Sequence, residues 1–125
     1  MNLGTFVLLK DSADRRGRVY SREDLERAAV GKTFMGELVP LDGFTDTNLD
    51  LNRVSHTVND IRFVGEDLVG EIVTMHTPQG LIVKTLYEEG IRLATSIRAV
   101  GRISEDNSVS DLEIFTFDFL MEKAE

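Results

Sequence analysis

The run Ala94-Thr95-Ser96-Ile97-Arg98-Ala99-Val100-Gly101 places a hydroxyl and a guanidinium close together in a strand-like stretch of small residues, just after a helical segment. A serine hydroxyl is a weak nucleophile unless a base takes its proton. Losing the base of a serine triad costs about 10⁶-fold in turnover, or about 8 kcal/mol of barrier. The chemistry open to Ser96 therefore depends on an imidazole, and the chain has two, His56 and His76. His56 lies in a predicted strand forty positions before Ser96, and adjacent barrel strands could bring the two together. The other reading of His56 is a strand histidine held by hydrogen bonds. His76 abuts a helix cap and reads as a surface or capping residue. Ser96 itself is either a nucleophile or a structural strand serine. Arg98 either binds an oxyanion or carboxylate, or pairs with a neighbouring acid.

The elements that must position these residues can be read along the chain. Leu3 to Lys10 is a short apolar run and reads as a buried strand. Asp11 to Arg18 is a polar turn with three arginines, either a solvated loop or a phosphate-binding patch. Ser21 and Asp24 have capping-box spacing, and Leu25, Ala28 and Ala29 line one face of a short helix that Gly31 can end as C′. Thr33 to Leu38 reads as another strand and Val39 to Leu51, with Pro40 and Gly43, as a loop. Arg53–Val64 and Asp67–Met75 form a predicted hairpin around Gly65-Glu66. Its first arm changes apolar phase at Asn59-Asp60, which predicts a bulge. Thr77-Pro78 begins a helix that Gly90 closes. Ile91–Ile103 and Val109–Leu120 are two more predicted strands, joined by the turn Ser104–Ser108. The centre of the last is apolar on both faces, as in a covered sheet. Its Phe115, Phe117 and Phe119 stripe could serve either packing or an interaction.

This order predicts an α+β fold: a single domain over residues 1–125, with a small, mostly antiparallel β-barrel and two flanking helices. The 125 residues suffice for one core. With no cysteine and two histidines, neither a disulfide framework nor a His-rich or thiolate metal site is expected, and no cofactor is called for. A net charge of −8 disfavours nucleic acid as a partner. No apolar run approaches a membrane span, so no membrane partner is expected, and the chain reads as soluble and intracellular where it is made.

The same order of motifs resembles the tailed-phage prohead protease family, whose small barrel is shared with herpesvirus assemblins. Arg15 to Leu25 is similar to that family's early turn, Tyr and first helix. Gly36-Glu37-Leu38 resembles its segment leading to a His-Pro pair, Asn48 to Val58 its strand entering the central hairpin, and Thr77-Pro78-Gln79-Gly80 the helix before the nucleophile strand. The resemblance implies that Ser96 stands at the nucleophile position and Arg98 at the family's arginine. It also implies that a histidine should follow Gly-Glu-Leu as general base. Here that run continues Val39-Pro40, Ile97 stands for the second serine and Ala99 for the following glycine.

These departures imply a degenerate member of that family: a phage head protein without protease activity. It is expected to bind the major capsid protein or the scaffold protein as cement, decoration or core component, as a homo-oligomer or multivalently on the virion head or procapsid assembled in the host cytoplasm. The alternative is an active prohead maturation endopeptidase using Ser96 with His56. A third reading is a module that keeps the substrate groove and holds scaffold segments without cutting them.

Overall fold

The computed structural model describes residues 1–39 and 50–123, the last three by backbone alone. Most of the expected loop between Val39 and Leu51 lies outside these residues. The elements are β1 (Asn2–Leu9), β2 (Val19–Tyr20), α1 (Arg22–Ala28), β3 (Phe34–Val39), β4 (Val54–Val64), β5 (Asp67–Thr74), α2 (Pro78–Glu88), β6 (Leu93–Ile103) and β7 (Ser108–Lys123).

The strands form one sheet in the order β1-β5-β4-β3-β7-β2, with β6 joined to β7. It curls into a half-barrel with the two helices packed on it. The expected barrel was mostly antiparallel. The observed sheet is antiparallel at β1–β5, β5–β4, β4–β3 and β6–β7, but β3 and β2 both run parallel to β7. β7 is the joint of the fold. It pairs with β6 along most of its length, with β3 at Phe119 and Leu120, and with β2 at Ser108 and Val109.

Local chemistry explains most element boundaries. Ser21 caps α1 by accepting from the Asp24 N–H at 3.1 Å. The expected return bond from the Asp24 side chain is replaced by an ion pair to Arg27 at 3.4 Å, because a short aspartate one turn into a helix also meets a cation at i+3. Ala29, rather than a residue directly before Gly31, is the C-cap, and Gly31 follows two residues on with φ +75°. Thr77 caps α2, accepting from the Gly80 N–H at 3.0 Å, and Pro78 opens the helix. The predicted bulge is present: the β4–β5 register shifts between Asn59 and Arg62, where Asp60 takes φ 51°. Asp14 fixes the basic turn before β2 by accepting from the Arg16 and Arg18 N–H groups and from the Tyr20 hydroxyl.

The core lies inside the curl. Leu25 and Ala29 from the α1 end, Val83 of α2, Val58 and Ile61 of β4, Leu68 and Ile72 of β5, and Phe117 and Phe119 of β7 are all buried. Phe6 of β1 sits edge-on to both Tyr87 and Phe119. These aromatic contacts tie the first and last strands through the helix that precedes β6, and so place the strand bearing Ser96 and Arg98.

Candidate functional site

Ser96 and Arg98 lie on β6, opposite Asp118 and Thr116 of β7. Cross-strand partners share a face, so the four side chains stand together. Arg98 is 5% exposed and is held by carboxylates on two other strands. Its Nε and Nη2 donate to the two oxygens of Asp118 at 3.0 and 3.1 Å. Its Nη2 also lies 2.9 Å from Oε2 of Glu37 on β3, and Nε bonds the Thr116 hydroxyl at 3.1 Å. Burial works against the guanidinium charge, but the bonds and charges of Asp118 and Glu37 outweigh it and raise its pKa above the ordinary value. Asp118 accepts additionally from the Glu37 backbone N–H at 3.0 Å. Glu37 is fully buried, and its Oε2 also accepts from the Asp50 N–H at 2.9 Å.

Of the two roles open to Arg98, the structure shows the acid-paired one: the side chain clasps β6, β7 and β3 together. The Ser96 hydroxyl is half-buried and makes no hydrogen bond among the described residues.

His56 of β4 is fully buried against the Phe119 ring, with centroids 4.5 Å apart. Both of its ring nitrogens are committed. Nε2 lies 2.8 Å from the Phe117 carbonyl, and Nδ1 lies 2.6 Å from the Ser55 hydroxyl. A carbonyl can only accept, so Nε2 carries the proton and Nδ1 accepts from Ser55 Oγ–H. Burial drives the imidazole pKa down to about 4, against the opposing pulls of the Phe117 carbonyl and the Asp118 charge. Neither nitrogen is offered to Ser96. Gly36 makes this arrangement possible, since a Cβ there would stand 2.1 Å from Nε2 and 2.2 Å from the Phe117 oxygen. His76 is exposed, immediately before the α2 cap.

The structure therefore brings Ser96 and Arg98 onto one face, and hands His56 to other partners. Glu37, Asp118 and Ser55 complete these networks and were not singled out from sequence. Asp118 had a readable signal, a carboxylate within the apolar run Phe117-Asp118-Phe119. Among the described residues, no cluster of acidic or histidine side chains is arranged to hold a metal ion, and no helix is long and apolar enough to cross a membrane.

No protein-family model matches the sequence, and no curated protein matches it. A solved structure does: the bacteriophage T4 capsid assembly protease, gp21, matches with a TM-score of 0.73 and 18% identity, covering 94% of this chain and 80% of that one. At that identity the likeness is one of fold. It gives this chain a phage capsid protease-like fold, the coarse form of the resemblance drawn from the motifs.

Proposed function

We propose that the protein is an assembly component of a phage head that keeps a capsid-protease fold without proteolytic activity. In this reading it binds the major capsid protein or the scaffold, as cement, decoration or core component of the procapsid or head. The observation that carries the loss of activity is the commitment of His56. It is buried and bonded through both nitrogens, and the run Gly36-Glu37-Leu38-Val39-Pro40 supplies no second imidazole. A serine without a base forgoes about 8 kcal/mol of barrier lowering. Arg98 supports the same reading, because its donors serve two buried carboxylates.

The fold likeness to the T4 capsid assembly protease supports the setting. A shell repeats one contact many times, so a small domain with a weak interface gains strongly by multivalency. The net charge of −8 favours a protein partner over packaged nucleic acid.

The test is incubation of the purified chain with capsid and scaffold precursors, alongside a Ser96→Ala variant. Samples are read by gel for cleavage and by co-sedimentation with proheads for binding. The expected result is co-sedimentation of both forms and no cleavage by either. Cleavage that disappears in Ser96→Ala would establish the endopeptidase instead, and absence from proheads and capsids alike would remove the structural role.

A further inference from the structure

α2 buries one face and leaves the other bare. Gly80 and Val83 are buried on the side toward the core, with Leu86 and Tyr87 half-buried beside them. On the opposite side Pro78, Leu81, Ile82 and Thr85 recur at i, i+3, i+4 and i+7, the spacing of a single helical stripe, and all four are exposed. Leu81 is 55% and Ile82 43% exposed. The Thr85 hydroxyl is spent on the Leu81 carbonyl at 2.9 Å, so its methyl group is what the stripe gains. A contiguous apolar stripe left open in this way marks a contact surface.

The charges at the two ends of this helix are the reverse of what its own dipole favours. Its first turn carries no acid and its last turn no base, while Glu88 closes the helix and Glu89 is the C-cap. Carboxylates are stabilised near a helix N-terminus and cations near a C-terminus. Glu88 and Glu89 return to the exposed side at i+7 from Leu81 and Ile82. They therefore flank the stripe at one end, and the acid-free first turn flanks it at the other. A second α2 laid antiparallel on the first matches both ends. Its Glu88 and Glu89 reach the N-terminal turn of its partner, and Leu81, Ile82 and Thr85 of the two copies meet in the middle. A parallel pair would gather four carboxylates at one end. The stripe is complementary to itself in one orientation, which singles out a second copy of this chain as its occupant.

We infer that the protein self-associates through α2, two copies packing antiparallel about a two-fold axis that passes between Ile82 and Thr85. An 11-residue helix is about 16 Å long, so the contact falls short of the ~800 Å² per partner of a standard stable interface. The dimer is therefore weak and concentration-dependent, with a Kd on the order of 0.1 mM. That is the range in which repetition on a shell supplies the remaining affinity. Pairing takes nothing from Ser96 or His56, so it stands apart from the loss of activity proposed above.

The test is sedimentation equilibrium of the full chain from about 10 µM to about 1 mM, with circular dichroism confirming that each variant is folded. The wild type should pass from monomer to dimer over this range. Leu81→Glu and Ile82→Glu, both at exposed positions, should weaken the dimer at least about tenfold. Pro78→Glu and Glu89→Lys should each weaken it, and the double variant should regain it. The new carboxylate of one copy meets the new ammonium of the other only in the antiparallel pair. The chain has no cysteine, so single Thr85→Cys and Glu88→Cys variants report the orientation directly. Disulfide cross-linking should be efficient for Thr85→Cys, beside the axis, and absent for Glu88→Cys, whose mate stands about 13 Å away along the helices. A monomer throughout would overturn the inference, and so would a dimer indifferent to Leu81→Glu and Ile82→Glu, which must use another surface. Cross-linking of both cysteine variants, or no recovery in the double variant, would remove the antiparallel arrangement. A chain that stays monomeric but loses co-sedimentation with proheads on Leu81→Glu would give the stripe to a capsid or scaffold protein instead.

Discussion

The Nε2–H of His56 on β4 donates to the Phe117 carbonyl on β7, 2.8 Å away, across the backbone of Gly36 on the strand between them. The parallel pairing of β3 to β7 begins only at Leu38 and Phe119. The imidazole therefore satisfies a buried carbonyl ahead of that ladder, which is a structural task. A ring so deeply buried must stay neutral, since burial, and not this bond, lowers its pKa.

That requirement sets a pH dependence. The folded pKa of about 4 lies below the ordinary 6.5, so protons favour the unfolded chain. The contribution is fully present above pH 6.5 and is lost progressively as pH falls toward 4. With about 1.36 kcal/mol for each unit of difference, the full loss is about 3 kcal/mol. Urea unfolding at pH 7, 5.5 and 4.5 should show a falling midpoint, and His56→Asn should be less stable at pH 7 yet flatter across this range. A wild-type midpoint that is constant from pH 7 to 4.5 would contradict the buried neutral state.

Removing Arg98 should be among the costliest single changes. Arg98→Met leaves Asp118 and Glu37 buried without their cation, and breaking a buried pair in this way costs about 3–5 kcal/mol. Arg98→Lys should recover only part of this, because an ammonium cannot reproduce the two-point contact with Asp118. Thermal melts of the two variants, compared with Arg102→Met, give the check. Arg102 is paired to Asp111 at 3.2 Å but 84% exposed, and its loss should shift the midpoint little.

Gly36→Ala should be destabilising although alanine is small. Its Cβ would sit within 2.2 Å of both His56 Nε2 and the Phe117 oxygen, so β3 must move away from β7 or the imidazole must leave its site. Overpacking of this kind costs about 3 kcal/mol. Denaturant midpoints would measure it, and loss of the Nε2–H signal in nitrogen-edited NMR would show which partner gave way.

The helices, the β4–β5 hairpin and its bulge were legible in the sequence because their signals are local. Thr77-Pro78 and Ser21 are caps, Gly65 opens a tight turn, and the phase change at Asn59-Asp60 is a property of one strand. The parallel pairings of β2 and β3 to β7 were not legible, since nothing in Val19-Tyr20 or Leu38-Val39 names a partner some eighty or more residues away. The same limit governs the site. Ser96, Arg98 and His56 were picked out by type. Of the partners that decide what they do, Ser55 is His56's own neighbour on β4, while Asp118, Glu37 and the Phe117 carbonyl come from strands that only the three-dimensional pairing brings together. Glu37 was visible as part of Gly-Glu-Leu, but its burial follows from β3 lying between β4 and β7.

Ser55 offers the most discriminating substitution. Its hydroxyl donates to His56 Nδ1 at 2.6 Å within a fully buried pair, and that bond exists only while the imidazole is neutral on Nδ1. Ser55→Ala removes the donor and leaves a buried acceptor unsatisfied, at a cost of about 1–3 kcal/mol. It also withdraws support from the neutral form alone, so the His56 pKa should rise from about 4 toward its ordinary value. The tautomer should not change, because the Phe117 carbonyl still requires a proton on Nε2. Stability in urea and an NMR titration of the ring together test all three statements. A stability loss with an unmoved pKa would mean that the hydroxyl hydrogen points elsewhere, and a switch to the Nδ1–H form would mean that the Phe117 contact is not the bond that orients the ring.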